Sequence, residues 1–374
     1  MIDWRASCRP GATGLGLLLA AGLAGIFLSA TPGAVAAPAA PGQQEVSRDF
    51  QKTVTLAAGQ FLRVENKFGE VRVHGESGRE VKISAIIRVQ AGSREEAEAY
   101  SQKIQIEVEQ SGGGLRVRTV ATEDRSWNLG KRRLSYSVNY DIAMPSEAPL
   151  EVQNSFGNST VNGVRARSVI DNNHGSLTAR DIGPTRLTNS FGSIELAGAS
   201  GDVAITDNNG NIDARDIKGS LDLRNRFGNI TVQNVHGEVT IAGGNGNVLL
   251  SDSGTSTIST SFGNAGVRNI RGDLTLRDNN GNIEVSTVSG SATLANGYGG
   301  ITISDVKGRV DCITNNGRVK GSGLGGAIAV RNSSSCTKDW ARSRCGGIFP
   351  RASHARRGAT RSSIRAMATA TPIR

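Results

Sequence analysis

The sequence predicts an all-β chain: a parallel β-solenoid of 17–18-residue units, paired as 35–36, behind a β-rich N-terminal capping region. Three observations predict it. Glycine supplies 48 of 374 residues, which is unusual for a compact α/β enzyme, while a hydrophobic fraction of 37% is too apolar for a disordered chain. One glycine recurs at Gly157, Gly175, Gly192, Gly210, Gly228, Gly246, Gly263, Gly281, Gly299 and Gly317, a spacing that never varies by more than a single position. Between these glycines aliphatic residues alternate with polar ones.

Ile230 and Val232, then Val239 and Ile241, mark two short strands with one buried face each. Bends are expected at Gly237 and at the Asn/Gly clusters around Gly228 and Gly246, where positive φ is cheap for Gly and tolerable for Asn. Each unit is therefore strand, turn, strand, turn. A single unit cannot bury its aliphatic face alone, so successive units must stack.

A second period overlies the first. The residues preceding the aligned glycines run Phe156, His174, Phe191, Asn209, Phe227, Asn245, Phe262, Asn280, Tyr298 and Asn316, so aromatic and polar alternate. Two geometries satisfy this pattern, an 18-residue coil with alternating layers and a 36-residue coil with separate aromatic and Asn columns. The larger coil is the expectation, because identical side chains then stack on one another.

The array is assigned to residues 149–335. Residues 1–37 read as a signal peptide: Arg5 and Arg9 precede an apolar stretch from Gly11 to Ala30, and Ala34-Val35-Ala36-Ala37 supplies a small-residue cleavage site. An uncleaved anchor is the alternative and the only route to a membrane. Cys8 precedes the apolar stretch, which argues against a lipoprotein. Residues 45–148 read as the β-rich cap, with strands at 81–89 and 115–120, one short helix opened by Ser93 with Glu96 at the capping-box position, and a solitary copy of the repeat turn at Asn66-Lys67-Phe68-Gly69.

The formal charge of +10 sits mostly in the tail at 336–374, where Lys338 and eight arginines face one acid, Asp339. That segment offers little apolar surface and is expected to be disordered. Its abrupt onset, where the template calls for another turn, is what a shifted reading frame would produce; a basic arm on anionic envelope polymers is the competing reading. The body is nearly neutral, so nucleic acid is not an expected partner. Cys312, Cys336 and Cys345 form no C-x-x-C pair, and an exported compartment allows one bridge, best placed between Cys336 and Cys345.

Tyr140-Asp141-Ile142-Ala143-Met144-Pro145 leading into Leu150-Glu151-Val152-Gln153-Asn154-Ser155-Phe156-Gly157, followed by G-x-I-x-V-x-[DN]-V-x-G units, resembles the bacterial putative-adhesin family of β-strand-repeat proteins of unknown function. The resemblance covers roughly residues 60–332. It implies a parallel β-solenoid on or outside the cytoplasmic membrane and brings no catalytic residue with it.

Several columns invite chemistry. Three residues before the glycine stand Asn154, Asn172, Asn189, Asp207, Asn225, Gly243, Thr260, Asp278, Asn296 and Thr314; this pattern reads as Asx turns and side-chain ladders, since calcium loops need more carboxylates than Asp207 and Asp278 provide. Six residues after it stand Asp181, Asp216, Asn234, Asp252, Asn269 and Asp305, with Thr287 among them, too interleaved for paired-carboxylate catalysis. The aromatic column could stack on sugars or bases, but an aromatic beside a turn glycine is expected to fill the coil corner. Outward threonines such as Thr231, Thr240 and Thr302 form no T-x-T array, and the basic loop of Lys131, Arg132 and Arg133 beside Trp127 reads as a solvated hairpin. Histidines are scattered, and no Walker, H-E-x-x-H, G-x-S-x-G or dinucleotide motif occurs.

The expected function is therefore non-enzymatic: an exported, periplasmic or extracellular, surface-display or adhesin-like scaffold, without cofactor or metal. Its expected partner is an envelope polysaccharide or another envelope protein. The alternative is a parallel-β-helix polysaccharide lyase or hydrolase, which calls for one rung with an off-template set of acids and a base. For the tail, the other two reading frames downstream of codon 332 are expected to resume N-S-F-G-like repeats in one of them; two frames without such a continuation would remove the frameshift reading.

Overall fold

A computed structural model describes residues 44–121 and 134–332 of the chain. The expected signal peptide, the basic loop near Trp127, the tail and Cys8, Cys336 and Cys345 lie outside the described residues. The described part opens with β1 (Gln44–Thr55), β2 (Phe61–Phe68), β3 (Val71–Glu76), β4 (Glu80–Ala91), α1 (Arg94–Ser101), β5 (Ile104–Ser111), β6 (Gly114–Ala121), β7 (Ser135–Pro145), β8 (Leu150–Phe156) and β9 (Ser159–Asn162). Strands β10 to β28 continue from Ser168 to Asn332, and the whole is a β-solenoid of about ten turns.

One turn contains two strands. β16 (Leu221–Phe227) lies in one sheet, β17 (Ile230–Val235) in the other, and β18 (Val239–Asn245) returns beside β16, with Leu223 opposite Ile241 and Phe227 opposite Asn245. The coil is thus the smaller of the two expected, about 18 residues per turn, and aromatic and Asn share one column. Two strands suffice because each sheet seals the other: Leu221 and Leu223 from one side, and Ile230, Val232 and Val235 from the other, are all buried. Each such side chain contributes about 1.5–3 kcal/mol through burial. Repetition of this sandwich makes two 14-stranded sheets, parallel throughout the array.

A two-strand coil needs two tight corners per turn. At the first, Gly228 has φ of 125°, and a methyl on it would overlap the carbonyl oxygen of Gly210 in the preceding rung. At the second, the left-handed residue is not Gly237, as the sequence suggested, but Asn234 at φ of 54°. Gly237 serves by its lack of a side chain, since a Cβ there would sit 2.6 Å from Gly219 O. The Asn234 position is left-handed in every rung after the first: Gly163, Asp181, Gly198, Asp216, Asn234, Asp252, Asn269, Thr287, Asp305 and Gly323 all have φ between 51° and 77°. That explains the Asx column, because Gly, Asn and Asp tolerate this region best. Neighbours in the column also bond, with Asn234 Nδ2 donating to Asp216 Oδ1 at 2.7 Å.

The solitary turn copy belongs to the array. β2 lies beside β8, with Leu62 opposite Leu150 and Phe68 opposite Phe156, and β3 lies beside β9. Residues 61–76 therefore form a first rung, and β4 through β7 are inserted before the next. β7 runs parallel to β3 and β6 parallel to β2; antiparallel β4 and β1 follow on one sheet and β5 on the other. α1, capped by Ser93 Oγ accepting the amide of Glu96 at 3.2 Å, packs on β1 and β4 through buried Ala97 and Tyr100. Antiparallel strands at this end close a parallel stack that would otherwise present a template for further growth.

Thr287 is the misfit of the left-handed column, because a β-branched residue is costly there. Thr287→Asn is expected to raise stability by about 1 kcal/mol, measured by chemical unfolding of the full chain; an unchanged or lower midpoint would contradict the assignment of strain to this residue.

Candidate functional site

The first corner generates a continuous edge on the surface. Along it run Phe68, Phe156, His174 and Phe191, then Asn209, Phe227, Asn245, Phe262, Asn280, Tyr298 and Asn316, one per rung and in register from strand to strand. The aromatics do not fill the corner interior, as an apolar residue beside a turn glycine would lead one to expect. Phe156 is 43% exposed, Phe191 50%, Phe227 45%, Phe262 55% and Tyr298 59%. The reason lies in strand alternation: Asn225 and Leu223 point inward, so Phe227, two residues beyond Asn225, has already passed the end of the inner face.

Where rings occupy adjacent rungs they stack. Phe68 and Phe156 have centroids 5.2 Å apart, Phe156 and His174 4.6 Å, and His174 and Phe191 4.8 Å, each at an interplanar angle of 19°. These distances are close to the pitch of the rungs. Beyond Phe191 the stack opens, because an Asn separates each ring from the next. Tyr136 from β7 closes the other end, edge-on to Phe68 at 5.2 Å.

The flanks of this edge are almost uncharged. The preceding positions, Ser155, Asn173, Ser190, Asn208, Arg226, Gly244, Ser261, Asn279, Gly297 and Asn315, and the positions after the glycine, Asn158, Ser176, Ser193, Asn211, Asn229, Asn247, Asn264, Asn282, Gly300 and Arg318, contain two arginines and no carboxylate. Arg226 lies over its neighbour Phe227, 5.9 Å from the ring centre. The second flank is a working ladder: Asn211 Oδ1 accepts the amide of Asn229 at 2.9 Å, Asn229 that of Asn247 at 3.0 Å, and Asn247 that of Asn264 at 2.9 Å. The signal for this ladder in the sequence is the residue after each glycine, which is Asn at 158, 211, 229, 247, 264 and 282.

Inside the same corner runs a buried polar ladder. Asn172 Nδ2 donates to Gly175 O at 3.0 Å and to Asn189 Oδ1 of the next rung at 3.3 Å, and Asn189 Nδ2 donates to Gly192 O at 2.8 Å. Asp207 breaks the chain, because a carboxylate has no N–H for the next rung. No side chain of a neighbouring rung donates to it, Asn225 Oδ1 in the next rung is buried without a donor, and the same mismatch recurs between Asp278 Oδ2 and Asn296 Oδ1. Burial pushes the Asp207 carboxyl up to about 6, against the lowering effect of the Asn209 and Asn208 amides.

The outer sheet faces carry paired charges. Glu195 meets Arg180 at 2.9 Å and Arg215 at 3.3 Å; Asp222 meets Arg224 at 2.9 Å and Asp311 meets Arg309 at 2.7 Å. A shallow depression on the β16 face is lined by Arg167, Arg186, Asp202, Asp222, Glu238 and Thr240. Of its acids, Asp222 is held by Arg224, and Asp202 Oδ1 accepts the amide of Ser220 at 2.9 Å. Thr240, Thr257, Thr275 and Thr293 form one threonine file, with Ala242, Ser259, Arg277 and Ala295 beside it in place of a second. No group of three metal-ligating side chains is assembled among the described residues. Cys312 is a buried thiol, pushed up to about 11 chiefly by burial, and packs as an aliphatic would. No helix among the described residues is long and apolar enough to cross a membrane.

No family model matches the chain, and no curated protein matches it. Among solved structures it is similar to a putative cell adhesion protein from Clostridium sporogenes ATCC 15579, at 10% identity over 77% of this chain and 100% of that one, with a TM-score of 0.21. A putative adhesin from Bacteroides fragilis NCTC 9343 shares 12% identity over 77% and 97%, with a TM-score of 0.28. One from Parabacteroides distasonis ATCC 8503 shares 14% over 76% and 97%, with a TM-score of 0.23.

Asp207 gives a pH dependence with a defined sign. Its folded value, about 6, exceeds the ordinary 3.8, so the native state holds the proton more tightly than the unfolded chain. Its favourable contribution is complete below about pH 4 and is lost as pH rises through 6, a change of up to about 3 kcal/mol. Asp207→Asn is expected to leave the melting temperature unchanged near pH 4 and to raise it above pH 7. A variant that gains equally at both values would show that protonation is not the cause.

Proposed function

We propose that the chain is an exported, non-enzymatic, adhesin-like binding or scaffolding protein of the bacterial envelope. The observation that supports this reading is the register: position for position, the backbone recurs one rung further along both sheets, presenting outward files such as Ala204, Asp222 and Thr240 at a constant spacing. A ligand that is itself repetitive meets a series of near-equivalent weak contacts, and linked weak contacts add through effective concentration. The outer faces suit such a ligand, being polar and nearly balanced in charge, with carboxylates, guanidinium groups and hydroxyls within one shallow depression. Export rests on the pattern of residues 1–37, and an envelope polysaccharide is the partner class that matches a polar, linear, repeating surface.

The full chain, purified after export, is expected to be retained on at least one insoluble envelope polysaccharide and released by the soluble form of that polymer. Passage through every envelope polymer without retention would count against this function.

A further inference from the structure

We infer that the exposed edge from Phe191 to Asn316 is a self-association surface, on which a second, antiparallel copy of this chain inserts its aromatic rings at the asparagine rungs. The fit is displayed within the molecule. At one rung a ring replaces the asparagine: His174 lies between Phe156 and Phe191 at 4.6 and 4.8 Å, nearly parallel to both. From Phe191 onward the same spacing recurs with Asn209, Asn245 and Asn280 between the rings, so each gap spans two rungs, about 9.6 Å. In the proposed pairing one flat ring of the second copy enters each gap from the side, with the exposed side chain of Asn209, Asn245 or Asn280 turning away to admit it.

The order of residues makes this edge its own complement. Eight rungs read Phe191, Asn209, Phe227, Asn245, Phe262, Asn280, Tyr298, Asn316, and reversing the series exchanges aromatic and Asn at every position. A two-fold axis between the rungs of Asn245 and Phe262 therefore sets Phe262 of the second copy at Asn245, Asn280 at Phe227, Tyr298 at Asn209 and Asn316 at Phe191. Such an interface is isologous and closed, giving a dimer rather than a filament. The run from Phe68 to His174 is already filled by its own rings and takes no part.

Charge agrees with this occupant. With no carboxylate on either flank, the edge has nothing to attract a basic partner, and its two arginines are too few to track a nucleic acid backbone. The same axis puts Arg226 at the Asn280 rung and Arg318 at the Phe191 rung, so neither cation faces its own copy. The rings of the stacked run turn their faces along the stack and not outward, which suits insertion better than a flat sugar platform. Eight half-exposed rings at roughly 100 Å² each, with the backbone between them, approach the ~1,000 Å² lower bound of specific interfaces. A reversible dimer follows.

Sedimentation velocity of the full chain across a dilution series tests this, whatever the outer faces bind. The expected result is a monomer–dimer equilibrium whose dissociation constant rises about tenfold or more in Phe227→Ala/Phe262→Ala, the usual consequence of removing buried aromatic anchors. Asn245→Phe is the sharper variant. It fills the central gap with the chain's own ring, as His174 does, and is expected to weaken the dimer although it adds apolar surface. Matching circular dichroism and melting temperatures show that the variants fold. A monomer at every concentration, dimers indifferent to both variants, or tighter association of Asn245→Phe would each overturn the inference.

Discussion

The structure depends on how closely successive turns approach at their corners. Rung-to-rung backbone bonds, such as Gly228 N to Asn245 O at 2.8 Å, hold the pitch, and they persist around the first corner instead of stopping at the strand ends. That continuity leaves no volume for a Cβ on Gly228 or Gly237. Steric exclusion at two points per turn is what converts a pair of short alternating strands into an indefinitely stackable unit. The sheets, the sandwich core and the surface columns all follow from it.

Because every rung must satisfy the same corners, polar groups buried there are shared along the stack. The Asn172–Asn189 bond passes from one turn to the next, and the Gly carbonyls find donors in the Asn side chains. The ladder tolerates Thr260, whose hydroxyl donates to Asp278 Oδ1 at 2.7 Å, whereas at Asp207 burial favours the protonated carboxyl. Surface and interior obey different rules in this corner. Inside, each residue must complete the hydrogen bonding of its neighbour; outside, ring and Asn alternate without such an obligation.

Much of this was legible in the sequence. The glycine spacing marked out the rung, and the aliphatic pairs such as Ile230/Val232 and Val239/Ile241 marked the two strands. The coil size was not legible, since an aromatic–Asn alternation is compatible with one column or two until strand register is known. Nor was the exposure of Phe227, because a turn position beyond the last inward residue has no periodicity of its own to assign it a face. The Asx column was seen, but its cause lay in backbone conformation, which becomes evident only when Gly163, Gly198 and Gly323 are placed in the same column as Asp216 and Asn234. The first rung at 61–76 escaped because the inserted cap breaks the spacing between Gly69 and Gly157. For the candidate edge, composition was readable while orientation was not.

That insertion also orders events during folding. Within the array, each turn docks on the turn made immediately before it, whereas the Arg63–Glu151 pair joining the first rung to the next spans 88 residues. Loop closure over so long a segment is entropically disfavoured until the intervening strands have themselves folded. Nucleation therefore belongs to the interior turns, with propagation toward both ends. At the capped end the first rung therefore docks once the inserted strands have folded, and the stacked rings of Phe68 and Phe156 then join it to the array.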